Sequence, residues 1–347
     1  MRIPNILKAA LLAVAMTWSV LASAAPATVV PSKNYVTVPV KVNASFDGLR
    51  TNTAIDIEYT VGPQKVQLHV PDNLAKYVKV TVTGGNLTVS YSENMNIQGN
   101  HKTILIVSAP DVSRFTVGSA GDITVKSDIK TNKAVSMMVK SAGDIRARNI
   151  NAPTVNLTTS SAGDIVTKEI LTDEANLIVN SAGDISTGDI RARKQAKLTV
   201  NSAGDIDVPS VLAGEDLVFT TNSAGDIKVK EASADHASLA SNSSGNVKVT
   251  DLTALNVKLT CRSAGDIRVG GICSYAEMSN GSSGNIEARN LKATSVYATV
   301  MSSGGIDCYA VESLQAYRKS KGTIRYAGNP AEITVSSTRR DDGVYPL

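Results

Sequence analysis

The sequence predicts an all-β fold: a right-handed parallel β-helix with coils of about 20 residues and a β-rich N-terminal cap. Three observations carry this. A pentapeptide recurs eleven times at a near-constant interval. Apolar residues alternate on either side of each copy. The chain is 42% hydrophobic yet only 4% aromatic, so its interior must be filled by aliphatic side chains.

The pentapeptide is Ser-Ala-Gly-Asp-Ile, starting at Ser119, Ser141, Ser161, Ser181, Ser202, Ser223 and Ser263. Variants start at Ser243, Ser282, Ser302 and Ser320, and successive starts lie 18 to 22 residues apart. Four residues before the motif Ser stands an apolar row: Phe115, Met137, Leu157, Leu177, Leu198, Phe219, Leu239, Leu259 and Met278. Four after it runs a second, from Ile123, Ile145 and Ile165 to Ile306 and Ile324. Nine after it a third includes Ile150, Ile170, Ile190, Val211, Leu252, Ile272, Leu291 and Val311. The period within each half is two, which is a strand facing the interior on one side. Coils this short have no room for a helical crossover. They must therefore stack strand on strand, about 4.8 Å apart. Gly recurs at the third motif position, where either a positive φ or a close backbone approach excludes a side chain. The hand follows from the general crossover preference.

Taken in order, residues 1–24 read as a signal peptide. Arg2 and Lys8 precede the apolar run Ala9 to Val20, and Ala22-Ser23-Ala24 is a cleavage site. Residues 25–118 alternate as strands, for example Ala54 to Tyr59, Lys65 to Val70 and Val78 to Val82, between turns such as Gly84-Gly85-Asn86. This segment is expected to be the irregular first part of the solenoid and its cap, because an open solenoid end exposes unpaired strand edges. Residues 119–337 form the regular helix, and 338–347 a polar tail.

Several of these segments carry a family resemblance. Ser45-Phe46-Asp47-Gly48-Leu49, Ala54-Ile55-Asp56-Ile57, Val66-Gln67-Leu68-His69-Val70 and Leu87-Thr88-Val89-Ser90-Tyr91 precede the motif run, and Tyr326-Ala327-Gly328-Asn329-Pro330 follows it. Together, over roughly residues 40–337, they resemble the putative auto-transporter adhesin "head GIN domain" family of bacterial envelope proteins. The resemblance implies a β-helical fold and an adhesion role, and it brings no catalytic residues to carry over.

The chemically suggestive row is acidic: Asp122, Asp144, Asp164, Asp184, Asp205, Asp226 and Asp266, replaced elsewhere by Asn246, Asn285, Gly305 and Thr323. Stacked carboxylates would repel by roughly 0.9 kcal/mol per pair in water. Ca²⁺, capping of N–H groups within the same turn, or nearby cations could offset this. Cations are at hand two residues on (Arg146, Lys228, Lys248, Arg268, Arg325) and four on (Lys126, Arg148, Lys168, Lys230, Arg289). The pattern favours turn formation and charge pairing over ligation, so no metal, cofactor or catalytic residue is expected. The basic strip is a candidate for anionic glycans or lipid headgroups.

His69, His101 and His236 are scattered, and no nucleophile elbow, phosphate loop or zinc signature occurs. Cys261 and Cys308 sit in rows of small apolar residues, and one pair among Cys261, Cys273 and Cys308 could bridge in an oxidising compartment. Tyr275, Tyr297, Tyr309, Tyr317, Tyr326 and Tyr345 collect beyond residue 270, and Tyr309 is expected in the outward row of Arg289. A Tyr/Arg patch there is a candidate contact surface.

Without Arg2 and Lys8 the chain carries 33 basic and 31 acidic residues, too balanced for bulk nucleic-acid binding. No later apolar run is long enough to cross a membrane. The expectation is a non-catalytic extracytoplasmic protein of adhesin type, periplasmic, secreted or on the outer surface, that binds a glycan, envelope component or host surface. The alternatives are a β-helical polysaccharide lyase or hydrolase, or a purely structural rod. Against the enzyme stands the uniform interval, which leaves no coil a long groove-forming loop.

Overall fold

A computed structural model of the chain describes residues 27–92, 95–339 and 341–347. The expected signal peptide lies outside these residues. The described residues are almost entirely β, with one 3₁₀ turn at Ala75–Tyr77, and they form a β-solenoid.

Each repeated coil runs strand, motif, strand, bend, strand. Around Ser141 these strands are Val135–Val139, Ile145–Arg146 and Ile150–Asn151. Farther along, the pieces fuse into single bent ribbons: Ile227–Ser241, Val247–Cys261, Ile267–Asn280 and Ile286–Val300. Each coil pairs in parallel with the next, in the register set by the repeat. Ile145, Ile165, Ile185, Ile206, Ile227, Val247, Ile267, Ile286, Ile306 and Ile324 therefore stand one on another. Leu157, Leu177, Leu198, Phe219, Leu239, Leu259 and Met278 form a second column. All are fully buried, and burying such a side chain contributes about 1.5–3 kcal/mol. Every coil thus contributes a small packet of core of its own.

The motif Gly is required by close approach, with φ in the ordinary region. A Cβ on Gly183 would lie 2.2 Å from the carbonyl oxygen of Gly163, and one on Gly204 2.2 Å from that of Gly183. Two residues before each motif Ser is an inner position that tolerates polar side chains, because the same Gly carbonyls satisfy them. Thr159 Oγ1 donates to Gly183 O at 3.3 Å, Thr221 to Gly245 O at 3.2 Å, and Ser241 to Gly245 O at 2.6 Å.

The N-terminal part follows a path that its sequence order does not suggest. Gly48–Thr51 lies between Asn86–Tyr91 and Arg114–Val117, in parallel with both. Asp56–Val61 likewise lies between Ile104–Ala109 and Ile123–Val125. The coil of residues 48–61 is thus sandwiched between coils that come after it in sequence. Its Thr53-Ala54-Ile55-Asp56-Ile57 is a degenerate further copy of the motif, with Ile55 in place of Gly. Thr51 Oγ1 donates to Ile55 O at 2.6 Å, as its counterparts do to the motif Gly. The two strands of the outermost coil have antiparallel partners on their far edges: Val78–Thr83 beside Asn86–Tyr91, and Lys65–Pro71 beside Ile104–Ala109. Tyr59 packs on Phe115, with ring centroids 5.7 Å apart, and donates to Ala109 O at 2.9 Å, tying these coils together.

At the other end Glu332–Ser337 pairs with Gly305–Arg318, and Val344–Pro346, within the expected polar tail, adds a strand to Thr323–Ala327. Arg318 is buried. It donates to Gly322 O at 2.6 Å and to Asp341 Oδ2 at 3.1 Å.

Two members of the expected third apolar row face outward. The register shifts after Val249, so Gly271 (φ +120°) pairs with Leu252 while Ile272 pairs with Thr253 and is 55% exposed. A second shift leaves Val311 exposed, with Ala310 paired to Ala293 in the inner row. In both places a bulge between strands changes the parity that a fixed count from the motif assumes.

Candidate functional site

The acidic row is a hydrogen-bonded ladder that runs from coil to coil. Asp122 Oδ1 accepts the backbone N–H of Asp144 at 2.9 Å, and Asp144 that of Asp164 at 2.9 Å. Asp164, Asp184 and Asp205 accept those of Asp184, Asp205 and Asp226, each at 2.8 Å. Asn substitutes freely because its Oδ1 is an equivalent acceptor. Asp226 holds Asn246, Asn246 holds Asp266 at 3.0 Å, Asp266 holds Asn285, and Asn285 holds the N–H of Gly305 at 3.1 Å. The capping expected within each turn is therefore corrected. The N–H that is capped belongs to the next coil, because the outward amide of each motif points down the stack at the side chain below it. Asp56 begins the ladder, bonding the N–H of Asp122 at 3.0 Å, and sequence reading missed it. Its signal was the Asp56-Ile57 pair inside the degenerate motif. Burial holds its carboxyl above the usual carboxylate range, a hydrogen bond from the Asp122 amide opposes this, and Asp122 raises it further.

The second carboxylate oxygen meets cations at several rungs. Arg146 bridges Asp122 and Asp144, at 3.1 and 2.6 Å. Lys228 Nζ reaches Asp205 at 2.8 Å and Asp226 at 3.7 Å, and the Asp205 hydrogen bond raises its pKa. Arg268 joins Asp266 at 2.9 Å to Glu287 at 2.9 Å, and the Glu287 hydrogen bonds raise its pKa. The cations four residues on pair elsewhere: Lys126 with Glu58 and Arg148 with Asp128, whose carboxyl Arg148 lowers. Among the described residues Lys168, Lys230, Lys248 and Arg289 have no carboxylate within ion-pair distance. Half-exposed pairs of this kind contribute about 0–1 kcal/mol each, so the charges fix register and field more than stability.

A parallel ladder of amides was also missed. Asn201, Asn222 and Asn242 each donate from Nδ2 to Oδ1 of Asn180, Asn201 and Asn222, at 2.7–2.8 Å, and Arg262 continues onto Asn242. Its signal was an Asn directly before the motif Ser in four consecutive copies.

Gly305 breaks the acidic row. It occupies a polar notch of about 410 Å³ lined by Asn285, Ile286, Glu287, Arg289, Ser303, Asp307, Thr323 and Arg325. Arg325 makes two bonds to Asp307, at 2.8 and 2.7 Å. A second, more apolar groove of about 540 Å³ lies along another corner, where Leu171, Leu212, Ala192 and Ala213 are flanked by Arg191 and Arg193. Both arginines are paired, with Glu169 and Asp173.

The remaining candidates separate. Tyr309 pairs in register with Lys292, whose Nζ lies 5.9 Å from its ring centroid, and not with Arg289 as expected. The cause is the same register shift that exposes Val311. Tyr275, Tyr297 and Tyr317 stand in three different outward rows of successive coils, and none is in register with another. Cys261, Cys273 and Cys308 are all free and buried, and burial pushes Cys273 up to about 11 and Cys308 to about 12. His69 stacks on Tyr35, His101 bonds Tyr91 and His236 bonds Asn256. Among the described residues no three His, Cys, Asp or Glu side chains are placed to hold a metal ion, and no helix is long and apolar enough to cross a membrane.

A sequence model of the family described as "Putative auto-transporter adhesin, head GIN domain" matches residues 45–217 and 216–330. No curated protein matches. Among solved structures, a putative adhesin from Bacteroides fragilis NCTC 9343 aligns at 19% identity and a TM-score of 0.32, over 92% of this chain and 99% of that one. A putative adhesin from Parabacteroides distasonis ATCC 8503 aligns at 15% identity and 0.34, over 92% and 100%. A putative lipid binding protein from the same Parabacteroides strain aligns at 15% identity and 0.26, over 92% and 99%.

Proposed function

Because the chain belongs to the auto-transporter adhesin head GIN domain family, we propose that it is a non-catalytic, extracytoplasmic adhesin-type protein. After removal of residues 1–24, its rigid outer face binds a glycan or another envelope or host-surface component. The ladder is the observation that supports this reading best. The row of acid groups that a lyase or hydrolase would draw on commits one oxygen per rung to the amide of the next coil. It is thereby part of the scaffold, and what the molecule offers a partner is a fixed outward array of charges, amides and hydroxyls.

Protease shaving of intact cells, together with binding of the purified protein to glycan and envelope arrays, tests the proposal. Cleavage on living cells and saturable retention on a surface component are expected. A protein protected in intact cells and inert on every array would sink it, and so would release of sugars from a polysaccharide. One feature favours a second reading, end-to-end assembly. Ile333 and Val335 sit in register with the inner residues Leu314 and Ala316, yet they are 45% and 37% exposed on the last coil. Concentration-dependent sedimentation that disappears on Ile333→Lys with Val335→Lys supports assembly, and a monomer at all concentrations rejects it.

A further inference from the structure

Resting on the assembly reading, we propose that the C-terminal end of the solenoid pairs with the same end of a second copy, Glu332–Ser337 lying antiparallel to its own counterpart about a two-fold axis at Thr334. The two ends of the molecule are finished differently. At the N-terminal end the inner side chains of the outermost strands, Val36 and Val38 on Tyr35–Pro39 and Val78, Val80 and Val82 on Val78–Thr83, are packed against the core. Leu74, in the turn that leads into Val78–Thr83, is fully buried. The same two strands carry Pro39 and Lys79, residues that discourage a further strand from adding to a sheet edge. At the C-terminal end neither safeguard is present. Glu332–Ser337 contains no Lys and no Pro, and its one strand partner among the described residues is Gly305–Arg318. Ile333 and Val335 are exposed, although Leu314 and Ala316, on which they stand, are buried. The aliphatic columns of the core therefore run out to solvent at this strand.

A second copy is the occupant this edge fits, because the strand is complementary to itself. Side chains directly opposite in an antiparallel pair share a face, so the inner residues of one copy must meet inner residues of the other. One register places Ile333 opposite the second copy's Val335 and Val335 opposite its Ile333. It puts Thr334 opposite itself on the axis and Glu332 opposite Ser336, so no like charges are opposed. A slip of one residue would turn the aliphatic side chains of one copy to the other face. The edge is also ordered before contact. Thr338 N–H donates to Arg318 O at 3.1 Å, and the buried Arg318 side chain reaches Asp341 Oδ2 at 3.1 Å, so little ordering is left to the encounter. Such a contact uses the same patch on both copies and closes at two. Head-to-tail growth would instead need a receptive N-terminal edge, which Pro39 and Lys79 guard.

Sedimentation over a range of concentrations, with oxidative cross-linking of Thr334→Cys, tests the proposal. Directly opposite Cα atoms in an antiparallel pair are about 4.5–5.5 Å apart, within the reach of a disulfide. The three native thiols are free and buried, so they give a quiet background. A concentration-dependent dimer that Thr334→Cys locks is expected. Gln315 pairs with Thr334 from the strand beneath, so Gln315→Cys would hold its two thiols three strand spacings apart, about 14 Å, and should not cross-link. Val335→Lys should raise the dimer dissociation constant by about tenfold or more. Thermal melts will show whether that variant is folded, and Thr334→Cys, which alters an outward side chain, gives a readout independent of it. The proposal is overturned by a monomer at every concentration, by a dimer that folded Val335→Lys leaves intact, by a dimer that Thr334→Cys does not lock, or by growth beyond two copies. A monomer removes the assembly reading as well. A dimer that ignores Thr334, or open-ended growth, removes this interface alone and leaves assembly standing.

Discussion

At the residue scale the side chain that matters most is the rung aspartate, and its chemistry is acceptance, not charge. Asp164→Asn keeps Oδ1 under the Asp184 amide and should be close to neutral. Asp164→Ala leaves that amide without its partner and should cost about 1 kcal/mol, the low end for a lost hydrogen bond because the site is open to water. Thermal unfolding of the two variants decides it, and equal losses would mean that the carboxylate acts by charge instead. Asp56 makes the same point with a pH signature. Burial raises its folded pKa, with Asp122 and Glu58 adding to the effect and Lys102 opposing it. A raised carboxyl favours the fold at pH below the ordinary carboxylate range, and that contribution is lost as pH rises through the folded value. Asp56→Asn retains the acceptor and removes the penalty. The variant should therefore melt above the parent at about pH 7, and the gap should close as pH falls through the raised folded value of Asp56 toward the ordinary carboxylate range. A gap that widens on acidification would contradict the assignment.

At the element scale the coil is a strand, a tight motif and two more strands, and the motif glycine sets the spacing. Gly304→Ala would place a Cβ 2.0 Å from Gly284 O, while Gly305→Ala, one residue on, has 3.4 Å of clearance. The first should destabilise by about 1–3 kcal/mol, as forced overpacking does, and the second by less than about 0.5 kcal/mol. Thermal melts that rank them in the opposite order would refute the close-approach account. These coils were legible in the sequence because inner rows of Ile and Leu repeat at fixed offsets from a fixed motif. The outward rows were less legible. Parity counted from the motif survives only until a bulge, so Ile272, Val311 and Tyr309 were misplaced by the shifts beyond Val249 and Glu287. The N-terminal path was hidden for another reason. The strands from Lys65 to Ala109 are inserted between neighbouring coils, so Asp56 and Asp122 are 66 residues apart in sequence yet joined by a hydrogen bond. The ladder itself was half legible. A row of Asp could be read off, but which amide each one caps depends on the direction of the N–H relative to the stack, which composition does not encode.

At the scale of the whole molecule, stability should be close to a sum over neighbouring coils. Each coil has its own buried Ile, Leu and Val and bonds only to the coils above and below it, so a defect propagates by contact and not through a shared core. Leu198 is fully buried between Leu177 and Phe219. Leu198→Ala should cost about 2–5 kcal/mol, the range for a buried leucine, and it should do so locally. Hydrogen exchange on the variant is expected to show protection lost first in the coils carrying Leu177, Leu198 and Phe219, with the coils around Ile123 and Ile306 holding most of theirs. In the dilute parent, protection should instead fall toward Glu332–Ser337, whose one strand partner among the described residues is Gly305–Arg318. A uniform loss along the chain on Leu198→Ala would mean that the solenoid unfolds as a single cooperative unit. In that case the ladders of Asp and Asn, and not the aliphatic columns, would couple one coil to the next. Asp164→Ala in the same experiment separates the two sources: a ladder that couples coils would spread its loss over the same span, whereas a rung that only satisfies a local amide would confine it to Asp184 and its immediate neighbours.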